Sequence, residues 1–249
     1  MELLTGKILA FFLILARVGA FMAASPLFNF QAAPNQIKLA MALLVSVIIA
    51  AAVPCNCPQN PDVLTILLLT CQQIIYGLAL GLTAYVIFAV VRIAGGIAEQ
   101  QMGLTLASVL DPFTDEEEQP LSLMLEIVFV LLLLASNGHH LLIKALAQSY
   151  SRFGIAELPS ITSLTQNLLA GTSAMLTLAL QMAAPILAAF LLLMIILAIM
   201  ARVAPETNVL FLSLPVRVGL GLSLVAVFVP FLNDFVCQFA VWLNKLMVL

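Results

Sequence analysis

The sequence predicts an all-α membrane protein of about six long hydrophobic helices, and three observations carry that prediction. Hydrophobic residues make up 63% of the 249-residue chain and charged residues 8%, where soluble domains run at about 45–50% and about 25%. Apolar runs that approach the length needed to cross a ~30 Å hydrocarbon core recur from end to end. Turns rich in proline and polar residues separate them. No stretch is polar enough to fold as a soluble domain, so residues 1–249 read as one integral membrane unit. The net charge of −3 and the absence of a basic block argue against nucleic acid and against a peripheral lipid-binding patch.

The first run spans 8–28. Lys7, the apolar stretch after it and Ala23-Ala24-Ser25 look superficially like a signal peptide, but Arg17 lies where a cleavable segment is uncharged, so a retained first helix is expected. Pro26 and Pro34 flank the next connection, and 37–53 forms the second run. Pro54, Pro58 and Pro61 then forbid continuation of the helix. The third run, 63–91, carries Gly77-x-x-x-Gly81, a spacing that lets a second helix approach closely. After the acidic turn that follows Asp111-Pro112 comes 121–147, then a proline-, serine- and threonine-containing loop over Gly154–Asn167. The last two runs, 174–201 and 209–232, are joined by Ala204-Pro205-Glu206-Thr207-Asn208 as a hairpin.

Between the third and fourth runs lies the most informative stretch, Gly95–Pro112, GGIAEQQMGLTLASVLDP. Small residues, a carboxylate and two adjacent amides interrupt the apolar sequence. Lipid offers them no hydrogen bonds, so they face protein or a water-filled path that protein encloses. Gly95, Glu99, Gly103 and Ala107 fall on one stripe at i, i+4 spacing. Gly103 supplies flexibility and Pro112 ends regular structure, which makes Met102–Phe113 a candidate plug of an interior passage.

Arg17, Arg92, Glu99 and Glu126 lie within or against apolar runs. A charge at the bilayer centre costs at least about 2.5–3.5 kcal/mol. Two explanations compete: internal pairing, Arg17 or Arg92 with a carboxylate, or the lining of a conduction route; a third is that other subunits surround the chain and these charges never meet lipid. In the final hairpin Pro205 ends a helix whose C-terminal dipole Arg202 complements. Arg202 and Arg217 bracket the hairpin loop that holds Glu206, and the 54–62 turn has no basic residue. By the positive-inside rule the hairpin loop is cytoplasmic and the turn periplasmic.

Nothing in the chain points to chemistry. His139 and His140 are adjacent, about 100° apart on a helix, with no third ligand at a suitable spacing. Glu116-Glu117-Glu118 sits with Asp115 in a proline-bounded turn and reads as solvated. Cys55 and Cys57 share the 54–62 turn, and Cys71 and Cys237 sit in apolar segments, far from a zinc framework. Nucleophile, phosphate-loop and dinucleotide motifs are missing. No catalytic residue, metal or cofactor is expected.

Four stretches carry a resemblance: QQIIYGLALGL at 72–82, AGGIAEQQMGLTLASVLDP at 94–112, NGHHLL at 137–142 and ARVAPETNVLFLSLP at 201–215. In that order and spacing the chain resembles the FliR family of bacterial flagellar export-gate proteins. Gly96 departs from it, standing where the family pattern carries an acidic residue, with Glu99 three positions on. The resemblance implies a structural, non-enzymatic subunit of the flagellar type III protein export gate, at the basal body in the inner membrane. It implies partnership with FliP and FliQ, and with FlhB, in passing unfolded substrates. It further implies a FliP-like part over about 1–165 and a FliQ-like hairpin over about 166–249, with much of the assembly lifted toward the periplasm. The loop that matches Met102, Gly103, Ser108, Asp111, Pro112 and Phe113 would then sit in the closed pore. Alternatives are the equivalent subunit of a virulence injectisome, an autonomous secondary transporter and an intramembrane enzyme. A transporter needs polar breaks at matching positions in two halves, and this chain has one such region.

Overall fold

In the computed structural model the described residues are 2–28, 34–53, 62–104, 119–152, 154, 161–204, 206 and 208–248. Among them the regular structure is helical: α1 Glu2–Ala24, α2 Asn35–Ala52, α3 Val63–Met102, α4 Pro120–Ala135, α5 Gly138–Arg152, α6 Ile161–Val203 and α7 Val209–Val248. Five of these helices contain a segment long and apolar enough to cross a membrane, or up to six spans if the broken pair α4–α5 counts as one.

Several boundaries differ from those expected, each for a physical reason. α3 runs on through Arg92–Met102 because no proline interrupts it, and it stops at Gly103, whose φ of 78° is a left-handed cap. The fourth run breaks at Ser136-Asn137, where Asn137 takes a φ of 58°, a conformation asparagine tolerates better than most residues. α6 begins at Ile161, inside the stretch expected as loop. Serines here need not break a helix, since Ser173 Oγ donates back to the Ala170 carbonyl at 3.0 Å. α7 continues past Leu232 because Phe235 and Val236 extend its buried stripe at i+3 and i+4.

Three helices are too long for one simple span. α3 and α7 have 40 residues and α6 has 43. At 1.5 Å per residue that is about 60–65 Å, twice a ~30 Å hydrocarbon core and beyond what ordinary tilt absorbs.

The chain forms two compact units, one of Met1–Ile87, Asn137–Ser173 and Phe239–Leu249, the other of Phe88–Ser136 and Ala174–Gln238. In the first, α1 buries Ala10, Leu13, Ile14, Arg17, Val18, Phe21 and Met22, a helical stripe with a cation in its middle. α2 packs on α1 through Ala42, Val45, Ser46 and Ile49 and leaves Leu39, Leu44, Val47 and Ile48 outward. In the second, Phe129 stacks edge-on against Phe88 at 5.3 Å and tilts against Phe235 at 5.8 Å, tying α4 to α3 and α7.

The partner of the Gly77–Gly81 notch is α1. A Cβ on Gly77 would collide with the Arg17 carbonyl oxygen and stand 2.8 Å from Ala20 Cβ; one on Gly81 would stand 2.5 Å from Ala24 Cβ and 2.9 Å from the Phe21 carbonyl oxygen. Backbone cannot retreat as a flexible side chain can. Gly81→Ala should therefore cost about 1–3 kcal/mol of packing energy, seen in size-exclusion chromatography as a lower yield of assembled protein when the chain is co-expressed with its neighbouring subunits. Gly19→Ala, with nothing within 4 Å of its new Cβ, should match or exceed wild type because alanine favours the helix. Equal losses from both would show that the notch does not hold α1.

Candidate functional site

In the first unit the polar centre is built on Arg17. Its place on the inward stripe of α1 buries it fully, at 0% exposure. Nε donates to Gln73 Oε1 of α3 at 2.7 Å, and Nη1 donates to Ser149 Oγ of α5 at 3.1 Å. The guanidinium carbon lies 4.1 Å from the centre of the Tyr150 ring and 4.9 Å from that of Tyr76. Tyr150 is itself fixed, its hydroxyl donating to the Ile14 carbonyl at 3.2 Å. Ser149 Oγ donates in turn to the Leu146 carbonyl at 2.7 Å. A planar cation with five donors suits such a cage: its edge reaches two acceptors while its faces meet two aromatic rings. One residue thus ties α1 to α3 and α5.

In the second unit the polar centre is Glu99, 1% exposed near the end of α3. Its Oε2 accepts the Ser122 backbone N–H of α4 at 3.4 Å. Ser122 Oγ donates to the Arg92 carbonyl at 2.8 Å. Gly95 makes the approach possible, since a Cβ there would stand 2.9 Å from Ser122 Cα. One turn on, Met102 is 0% exposed and packs on Gly221 of α7, where an added Cβ would meet its sulfur at 2.5 Å.

The expected site residues are distributed as follows. Arg17, Glu99, Gly77 and Gly81 are buried at helix contacts. Within this single chain the Arg92 side chain is exposed and Glu126 is half-buried. Arg92 lies far along a helix twice the bilayer thickness, where a charge need not meet hydrocarbon. Met102 and Gly103 end α3, while Ser108, Asp111, Pro112 and Phe113 lie outside the described residues. Arg202 is exposed in the last turn of α6 and Glu206 is exposed in the turn after it. Arg217 belongs to α7 rather than the loop and is half-buried; Pro205, Cys55 and Cys57 lie outside the described residues. The rings of His139 and His140 approach to 4.1 Å. Among the described residues no group of three or more His, Cys, Asp or Glu could hold a metal.

Sequence reasoning missed Gln73, Tyr76, Ser149, Tyr150 and Ser122. Gln73 and Tyr76 had a usable signal: they share one helical face at i, i+3 within an apolar run, the spacing of an inward polar stripe. Ser149-Tyr150 and Ser122 had none, because their importance comes from partners distant in sequence.

Fold and ties together define a multi-span α-helical membrane protein whose buried polar groups join helices. The chain belongs to the family of bacterial export proteins, family 1, whose pattern matches residues 8–240. It is 30% identical over 227 residues to the flagellar biosynthetic protein FliR of Escherichia coli (strain K12), covering 90% of this chain and 86% of that one. It is 29% identical over 225 residues to FliR of Bacillus subtilis (strain 168), covering 88% and 85%. Yop proteins translocation protein T of Yersinia pestis is 30% identical over 169 residues, covering 67% and 65%. The chain is thus a type III export-gate subunit, and the flagellar version fits these relatives.

Proposed function

We propose that this chain forms, with FliP-like and FliQ-like subunits and FlhB, the conduit through which unfolded flagellar proteins leave the cytoplasm. Its role is structural and non-enzymatic. The observation that carries this is the length of α3, α6 and α7, about twice a bilayer core, combined with apolar residues directed outward along them. Leu191, Leu192, Ile195, Ile196 and Ile199 of α6 are all about half exposed or more. A lone chain in a bilayer would push part of that surface into water. Neighbouring subunits of similar helical build would cover it, and the assembly would rise toward the periplasm at the basal body. Residues 1–165 would serve as the FliP-like part and 166–249 as the FliQ-like hairpin, with Arg202 and Arg217 on the cytoplasmic side. Within this reading Met102–Phe113 helps plug the closed passage. The flagellar role is favoured over the injectisome role because the flagellar relatives align across 90% and 88% of the chain and the Yersinia protein across 67%.

Expressed alone, the chain should aggregate or be degraded. Co-expressed with FliP-like and FliQ-like proteins from the same genome, it should yield one complex that can be weighed intact by native mass spectrometry. A monodisperse monomer in mild detergent, with no complex formed on co-expression, would rule the gate-subunit role out.

A further inference from the structure

Glu99 makes contacts at both ends of one connection. Its carbonyl oxygen accepts the Leu104 N–H at 3.4 Å, beside a 3.1 Å bond from the Gly103 N–H to the Gln100 carbonyl. With Gly103 at a φ of 78°, this is the paired hydrogen-bond pattern that closes a helix C-terminus. Its side chain meanwhile reaches the start of α4. There the capping position is Gln119, whose side chain makes no cap hydrogen bond, and Pro120 follows with no N–H to satisfy. The Leu123 N–H bonds the Gln119 carbonyl at 2.9 Å. The N-terminal amides left over are those of Leu121 and Ser122. Glu99 Oε2 accepts from Ser122 at 3.4 Å. A carboxylate from a different helix does what a local serine or aspartate usually does, and the α4 dipole favours its charge.

We infer that Glu99 is a positioning residue, a clamp that fixes where α3 ends and α4 begins and so holds both anchors of the connection between them. Its consequence for the closed passage rests on the reading that this connection contains the plug. The clamp depends on reach: Gly95 lets the α4 start come close, the Ser122 hydroxyl bonds the Arg92 carbonyl at 2.8 Å, and Glu99 spans what is left.

The test uses the complex co-expressed with its neighbours, with native cysteines replaced by serine. Nitroxide labels are placed at Gln100→Cys and Leu123→Cys, both on exposed positions. Electron paramagnetic resonance then reads the distance distribution between the end of α3 and the start of α4. Glu99→Asp keeps the charge but withdraws the carboxylate by one methylene; the contact then exceeds hydrogen-bond length, and the distribution should widen about twofold. Glu99→Gln keeps an oxygen at the same reach and should give the native distribution. This order separates a clamp from a residue that is only charged or only space-filling. A native distribution in Glu99→Asp, or a widened one in Glu99→Gln, overturns the clamp. Ion leak through the same reconstituted samples separates the two levels: a widened distance with native leak keeps the clamp and removes the plug.

Discussion

Replacing Arg17 with alanine should abolish recovery of assembled protein. The change removes the donor to Gln73 Oε1 and Ser149 Oγ and empties the space between the Tyr76 and Tyr150 rings, in a site of 0% exposure. Truncating one member of a buried charged network typically costs about 3–5 kcal/mol, a large part of the about 5–15 kcal/mol that holds a protein domain together. Two further variants divide that cost. Arg17→Lys keeps the charge, but a single ammonium cannot reach both acceptors while presenting flat faces to both rings, so recovery should be poor. Arg17→Met fills much of the volume without a charge to bury and should recover more than alanine does. The readout is the yield of the complex in size-exclusion chromatography, with the neighbouring subunits co-expressed. Full recovery of Arg17→Ala would show that the cage contributes little to the fold.

This cage also marks where the sequence stops being informative. That Arg17 sits oddly in an apolar run is visible at once, because a charge in such a run demands a partner. Its partners are not visible, since Gln73 and Ser149 stand 56 and 132 residues away and spacing rules reach only a few turns along one helix. The expectation considered a carboxylate; the partners described above include an amide, a hydroxyl and two rings, groups that stabilise a cation without carrying a charge.

Helices were legible for a related reason. Apolar length and proline placement are local properties, so the six runs map onto the observed helices, with boundaries displaced by backbone details at Gly103 and Asn137 and, at the end of α7, by burial. α7 outlasts its apolar run because Phe235 and Val236 find a core, and α6 starts early through a serine- and threonine-containing segment. The Gly77–Gly81 notch was legible as a packing surface, but its occupant, α1, was not, since small residues state only that something comes close. Glu99 lay between these cases. The carboxylate in its setting of small residues was plain, yet nothing local links it to an amide beyond Pro120, 23 residues on.

Deleting part of residues 104–112 should leave the gate assembled but leaky. Assembly should survive because several contacts in this part of the second unit lie outside the deleted segment. Met102 packs on Gly221, Glu99 meets Ser122, and Phe129 joins Phe88 and Phe235. Helix ends anchored this firmly can tolerate a shorter connection, since the entropy of closing a loop changes slowly with its length. The leak follows from composition. GLTLASVLDP offers small and apolar groups that can close against one another without strong bonds, and its sequence begins with a glycine and ends with a proline, residues that disfavour regular helix. The measurement is conductance of the purified complex in a planar bilayer, with intact mass confirming composition. The deletion should raise the closed-state current several-fold, and Glu99→Asp should raise it less, because it loosens the anchors and leaves the segment present. An assembled deletion complex that conducts no more than wild type would make Met102–Phe113 a connector between α3 and α4, and would leave the closed passage to be sealed by other residues.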